Sequence, residues 1–213
     1  MKTRSFSPID QLLVTASHAL ETLFTEPVAQ RPYPGRSNDS ETLTDSERSQ
    51  AARYMRINHV GEICAQALYE SQALTASSPD TVLQMQKSSR EEQDHLAWCE
   101  QRIKELGGRK SILNPIWYGG AFAIGAVAGL AGDKWSLGFV AETEHQVVAH
   151  LEDHLGRLPE HDSRSKEVIC QMQIDENAHK ETAVENGAAS LPKPVTSMMK
   201  LASKVMTKTA YWI

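Results

Sequence analysis

Apolar residues along this chain recur at helical spacing, and no long β-branched alternating run breaks the pattern. Leu12, Leu13, Ala16, Leu20 and Leu23 share one face and predict a short amphipathic helix over residues 8–24. Residues 26–39 hold three prolines and Gly35, which predicts a linker or an ordered crossing strap. Thr44, with Glu47 three positions on, forms a capping-box signature and opens a helix expected to run to residue 76. Ser78-Pro79-Asp80 opens the next, which ends at Gly107-Gly108. A third long helix is expected over 134–158, stopped by Pro159, and a fourth over 163–186, stopped by Gly187. A last helix follows Pro194. The predicted fold is all-α: four long helices in two hairpins, an apolar segment (111–133) inserted between them, and extra N- and C-terminal helices. Residues 1–44 form an appended helix and linker, and 45–213 form the main domain.

The second and fourth long helices carry related motifs, Glu91-Glu92-Gln93-Asp94-His95 and Asp175-Glu176-Asn177-Ala178-His179. Both read acid-Glu-x-x-His, and a Glu and His three apart lie on one helix face. Bundle sites for two metals use two such pairs plus one Glu from each remaining helix. Those helices offer Glu62, 30 residues before Glu92, and Glu144, 32 residues before Glu176. Each half therefore repeats one scheme. Heptad spacing sharpens the choice: Met55-Glu62-Tyr69, Met85-Glu92-Cys99-Leu106, Leu137-Glu144-Leu151-Leu158 and Ile169-Glu176-Ala183 are stripes expected to face the core. Glu142 competes with Glu144, but Val140, Val147, Val148 and Leu151 surround Glu144 at helical neighbours and favour it. Bare carboxylates in such stripes are costly or take up protons. Two divalent cations balance four carboxylates, and two neutral imidazoles complete the donor set. Carboxylate-rich, sulfur-free ligation suits iron or manganese, and two ferrous ions can each give an electron to dioxygen.

Composition narrows the function further. The formal net charge of −5 does not invite a nucleic-acid backbone. Cys64, Cys99 and Cys170 lie far apart and are expected as reduced, buried thiols. The polar N-terminus lacks the apolar core of a secretory signal. No Gly-x-Gly-x-x-Gly follows a strand, so no dinucleotide-binding domain is expected. The segment 111–133 is long enough to invite a transmembrane reading, but Asn114, Pro115, Tyr118 and five glycines argue against a clean span. It reads either as a buried hairpin or, in the preferred reading, as a segment dipping into one leaflet. The last helix sets Met198, Leu201, Ala202, Val205, Met206 and Ile213 against Lys200, Lys204 and Lys208. This pattern suits an anionic membrane surface and equally an ordinary packed terminal helix.

Asn58-His59-Val60-Gly61-Glu62, Glu92-Gln93-Asp94-His95-Leu96, Asn114-Pro115-Ile116-Trp117, Glu144 with His150, and Glu176-Asn177-Ala178-His179 together resemble the demethoxyubiquinone hydroxylase family. The resemblance spans residues 48–213. It implies a ferritin-like bundle that binds a membrane from one face, on the cytoplasmic side of the inner membrane. It implies two iron ions per chain, held by Glu62, Glu92, His95, Glu144, Glu176 and His179, the same six that spacing selects. It also implies monooxygenation of 2-polyprenyl-3-methyl-6-methoxy-1,4-benzoquinol by dioxygen, the penultimate step toward ubiquinone. NADH, the quinol itself or a partner protein are the candidate electron donors, and a homo-oligomer or a biosynthetic complex is the candidate assembly. By analogy the polyprenyl tail lies near Trp117, Phe122 and Ile124. His150 matches a family histidine, although its position six residues after Glu144 turns it partly away. The competing readings are a ferritin-like iron oxidase or store, and a non-enzymatic membrane-associated lipid or quinone binder.

Overall fold

A computed structural model describes residues 7–36 and 43–213. Among these residues there are seven helices and no strand: α1 (Pro8–Phe24), α2 (Asp45–Thr75), α3 (Pro79–Glu105), α4 (Asn114–Leu130), α5 (Asp133–Arg157), α6 (Ser163–Glu185) and α7 (Lys193–Trp212). The predicted helices are all present, with ends within a few residues of expectation. Thr44 and Glu47 form the expected capping box at α2, and Ser78 caps α3. Gly107, Gly132 and Gly187 adopt positive φ at the ends of α3, α4 and α6, where a side chain would be strained. The part of the expected linker at 37–39 lies outside the described residues.

The four heptad stripes are buried along their whole length, and they define the topology. Met55, Cys99, Leu151 and Ile169 share one core cluster, whereas Tyr69, Met85, Leu137 and Ala183 share another. Along α2 the chain passes from the first cluster to the second, and along α3 it returns. Helix α5 runs from the second cluster to the first and α6 runs back. Two antiparallel hairpins, α2–α3 and α5–α6, therefore stand side by side, with Glu62, Glu92, Glu144 and Glu176 in the layer between the clusters.

This topology gives the apolar insert a structural job. Helix α3 ends at the first cluster and α5 begins at the second, so the chain must traverse the bundle between them. Helix α4 is that crossover; its 17 residues cover about 25 Å at 1.5 Å per residue. The segment is a single helix with one face exposed, not a fully buried hairpin. The glycines that make the segment a poor isolated helix let it lie close against α2. A Cβ at Gly125 would overlap the Ser71 hydroxyl, and one at Gly129 the Thr75 hydroxyl. Packing against α2 thus supplies what intrinsic propensity lacks. Tyr118, Ala121, Gly125 and Gly129 face inward, while Ile116, Ile124, Val127 and Leu130 are exposed.

Polar contacts fix the hairpins and the segment ahead of them. Buried Arg102 of α3 reaches Asp162 at 2.7 Å and Ser165 at 2.8 Å, at the start of α6. Residues 26–36 form an ordered strap. Its Tyr33 hydroxyl donates to Glu105 on α3 (3.3 Å), the Arg36 N–H donates to Glu167 on α6 (2.9 Å), and Arg164 donates to the Gly35 carbonyl (3.1 Å). All three cysteines are free; Cys99 is buried and Cys64 half-buried, but Cys170 is exposed, against the expectation of three buried thiols.

Candidate metal centre

Heptad placement on four helices turns Glu62 (α2), Glu92 and His95 (α3), Glu144 (α5), and Glu176 and His179 (α6) into one interior layer. None of the six is more than 5% exposed. Their ligand atoms form two groups of four, each within 4.8 Å: Glu62, Glu92, His95 and Glu176, and Glu92, Glu144, Glu176 and His179. Glu92 and Glu176 belong to both groups. His95 Nδ1 lies 2.9 Å from Glu92 Oε2 and 3.2 Å from Glu176 Oε1, whereas His179 Nδ1 lies 3.0 Å from Glu92 Oε1 and 3.3 Å from Glu176 Oε2. Each shared carboxylate thus presents one oxygen to each histidine. Glu92 and Glu176 could therefore serve both positions, with Glu62 belonging to one group and Glu144 to the other. The sequence-selected set converges in full, and Glu144 rather than Glu142 enters it. Glu142 is half-buried and accepts a hydrogen bond from Gln146 at 2.7 Å.

The outer ends of the imidazoles reveal residues that motif reasoning left without a role. His95 Nε2 lies 2.9 Å from Asp175 Oδ2, and His179 Nε2 lies 2.7 Å from Glu91 Oε2. A carboxylate can only accept, so each Nε2 carries a proton toward its outer acid, and Nδ1 is the nitrogen that faces the layer and would bind a metal once the metal replaces its proton. The acid that opens each motif therefore holds the histidine of the other motif. The repeated acid before Glu-x-x-His was the visible signal; its crossed use needed the fold. Tyr69, which heptad spacing places in the α2 stripe, donates its hydroxyl to Glu144 Oε1 at 2.6 Å. Asp94 and Arg31 stand behind Asp175, with Arg31 2.6 Å from Asp94 and 2.8 Å from Asp175.

Electrostatics show what this layer is built to hold. Burial, then the neighbouring carboxylates, pushes Glu62 and Glu144 well above the ordinary range, partly offset at Glu62 by His95. For the histidines burial acts downward, but the carboxylates outweigh it: His95 is raised well above its usual value and His179 to about 12. Glu92 is held low, because His95 and His179 outweigh its burial. In cation-free protein, protons thus do the neutralising. The donor set fits two metal ions: four carboxylates match two dications, both Nδ1 atoms face the layer, and Glu92 Oε1 is buried without a hydrogen bond, its 3.0 Å approach to His179 Nδ1 lying outside bonding geometry.

His150 stays outside both groups of four; its ring packs at a tilt against that of His154, with centroids 3.9 Å apart. His154 donates to Asn58 Oδ1 at 2.8 Å, and His59 lies 3.8 Å from Glu100. Burial, with His150 and Arg157 adding to it, lowers His154 to about 2. Asn58, His154 and His150 therefore form a polar cluster between α2 and α5, while His59 faces Glu100 of α3.

Comparison with known proteins fits this geometry. The profile of the family described as "Ubiquinone biosynthesis protein COQ7" matches residues 49–210. This chain belongs to the COQ7 family. Similar relatives include the 3-demethoxyubiquinol 3-hydroxylases of Nitrosospira multiformis, 57% identical, and Nitrosomonas europaea, 53% identical, each aligned over 96% of this chain and 99% of the relative. That of Polynucleobacter necessarius is 54% identical over 97% of this chain and all of the relative. These alignments run well ahead of the COQ7 domain and so take in most of the N-terminal helix and strap.

Proposed function

We infer that this protein is a 3-demethoxyubiquinol 3-hydroxylase, an oxidoreductase of ubiquinone biosynthesis that adds one atom of dioxygen to the ring of 2-polyprenyl-3-methyl-6-methoxy-1,4-benzoquinol. The observation that carries the reading is the pair of buried four-residue groups sharing Glu92 and Glu176, in a chain of this family. Two ferrous ions held there would supply electrons to dioxygen. Glu62, Glu92, His95 and Glu176 would hold one, and Glu92, Glu144, Glu176 and His179 the other. Glu91 and Asp175 keep the imidazoles aimed. Tyr69 holds Glu144 by its hydroxyl. The surrounding apolar clusters keep bulk water from the layer. One oxygen atom enters the ring and the other leaves as water, so two electrons come from outside, from NADH, the quinol or a partner.

The apolar surface supports a substrate taken from lipid. Ile116, Ile124, Val127 and Leu130 of α4 are exposed, as are Met198, Leu201, Val205 and Trp212 of α7. Helix α7 also carries Lys200, Lys204 and Lys208. No helix among the described residues is long and apolar enough to cross a membrane, so the proposed association is from one face, with the tail along α4. Liposome flotation tests it; protein remaining at the bottom of the gradient counts against it. For the reaction, the protein should restore ubiquinone in a strain that accumulates demethoxyubiquinone, and Glu176→Ala should fold, bind little iron and restore none. Near-normal ubiquinone with Glu176→Ala would remove Glu176 from the site.

A further inference from the structure

We propose that the strap ahead of the family domain completes one half of the metal centre: Arg31 is a positioning residue that fixes Asp175, and through it His95, making the two metal positions inequivalent. Arg31 precedes the matched domain, which begins at residue 49, yet its guanidinium reaches the support of a candidate ligand. Arg31 Nη1 lies 2.8 Å from Asp175 Oδ2, and that same oxygen accepts from His95 Nε2 at 2.9 Å. The guanidinium is itself tightly placed. Its Nε donates to the buried Asp94 at 2.6 Å, the Gln30 backbone N–H donates to the other Asp94 oxygen at 2.6 Å, and the group stacks over Trp98 at 4.8 Å. Trp98 in turn packs on the His95 ring, with centroids 5.4 Å apart. A planar fork that bonds two acids on different helices fixes both at once.

The other half of the pseudo-repeat is built differently. The position matching Asp94 is Ala178, which is exposed. Glu91, which holds His179, meets instead Lys87, at 3.7 Å and on its own helix, and that lysine is 70% exposed. An exposed lysine on a flexible stem does not fix a carboxylate as a stacked, doubly bonded arginine does. Among the described residues, the strap thus supplies to His95 an outer support that His179 lacks.

The inference rests on the reading of the six residues as ligands of two irons. Its test is anaerobic titration of apoprotein with ferrous ion, with ⁵⁷Fe Mössbauer spectra to distinguish the two positions. Helical circular dichroism and urea midpoints establish that each variant folds. Changes in groups that support metal-bound histidines typically cost about 10- to 100-fold in affinity. Arg31→Ala should weaken one position by that order and leave the other within about threefold, and Arg31→Lys should recover only part of the loss. Glu91→Gln should weaken the opposite position. Because Arg31 acts through Asp175, Arg31→Ala should add little in an Asp175→Asn background. Unchanged affinities, a parallel loss at both positions, or full additivity with Asp175→Asn would each overturn the inference. Wild-type protein that binds fewer than two irons would instead overturn the di-iron reading itself.

Discussion

Glu144→Gln separates a carboxylate kept for a cation from one kept for packing. Glu144 is buried and its carboxyl sits well above the ordinary range, burial being the largest cause and Glu176 the next. In cation-free protein it therefore carries a proton, and glutamine is its near-isostere. The Tyr69 hydroxyl, which donates to Glu144 Oε1 at 2.6 Å, can donate to the amide oxygen instead. The apoprotein should keep its stability within about 1 kcal/mol, the scale of one ordinary hydrogen bond. Metal binding behaves oppositely. With four carboxylates and two dications the layer is balanced; with three it keeps one buried positive charge. Breaking a buried charge pair costs about 3–5 kcal/mol. A unit charge 4.8 Å away, the outer separation within each group of ligand atoms, is worth about 3.5 kcal/mol at an effective dielectric constant of about 20, the same scale. The Kd of one position should rise by roughly two to four decades. Equilibrium dialysis with ferrous ion under anaerobic conditions and urea unfolding of the apoprotein give the two numbers. Glu142→Gln, which alters the half-buried neighbour, serves as the control and should bind metal like wild type. Two tightly held metals in Glu144→Gln, or an apoprotein weakened by more than about 2 kcal/mol with metal binding intact, would show that Glu144 is a packing residue.

Proton linkage gives the apoprotein a characteristic pH response. Glu62 and Glu144 are raised above 4.5, and His95 and His179 above 6.5, the last to about 12. Groups with raised folded-state values stabilise at low pH and lose that contribution as pH rises. His59, His150 and His154 are lowered from 6.5 and act oppositely, but their effect is complete once pH exceeds that value. Apoprotein Tm should therefore fall between about pH 7 and pH 9, while the metal-loaded form, stripped of those protons, should change little. Calorimetry on both forms checks this, and an apoprotein Tm that climbs across the window contradicts it. Metal loading should also release protons, seen as a buffer-dependent heat of binding. At the crossover, Gly125→Leu has no room beside Ser71 and Leu68 and should destabilise by at least about 1–3 kcal/mol; an unchanged urea midpoint would show that α4 does not need its close approach to α2.

Much of the site was legible before the fold because one constraint acted twice. A Glu at the centre of a heptad stripe is anomalous anywhere in a bundle, and four such anomalies at matching intervals restrict the explanation to cations. The same spacing located Met55, Cys99, Leu151 and Ile169, all buried as the stripes require. The crossover was harder to read. Its glycines lower helix propensity, and only the need to return from the end of α3 to the start of α5 makes it a helix. Asp175 and Glu91 were out of reach for a related reason. Each lies beside a ligand in sequence but serves a histidine 80 or 88 residues away, and local spacing holds no information about a partner in the other hairpin. Arg31 lay in a proline-rich stretch with no periodicity, so nothing marked it until Asp94 and Asp175 were seen on either side of it.

The exchange of acids between the two motifs makes the halves mutually dependent. Neither α2–α3 nor α5–α6 alone holds a complete candidate group, since each borrows a shared carboxylate and a histidine anchor from its counterpart. A chain cut within the crossover should yield two fragments that are each inert toward iron and regain affinity only on reassociation. On the proposed ligand set, metal uptake would report on the docking of the two halves, and neither position would be complete in a nascent chain until α6 has been synthesised.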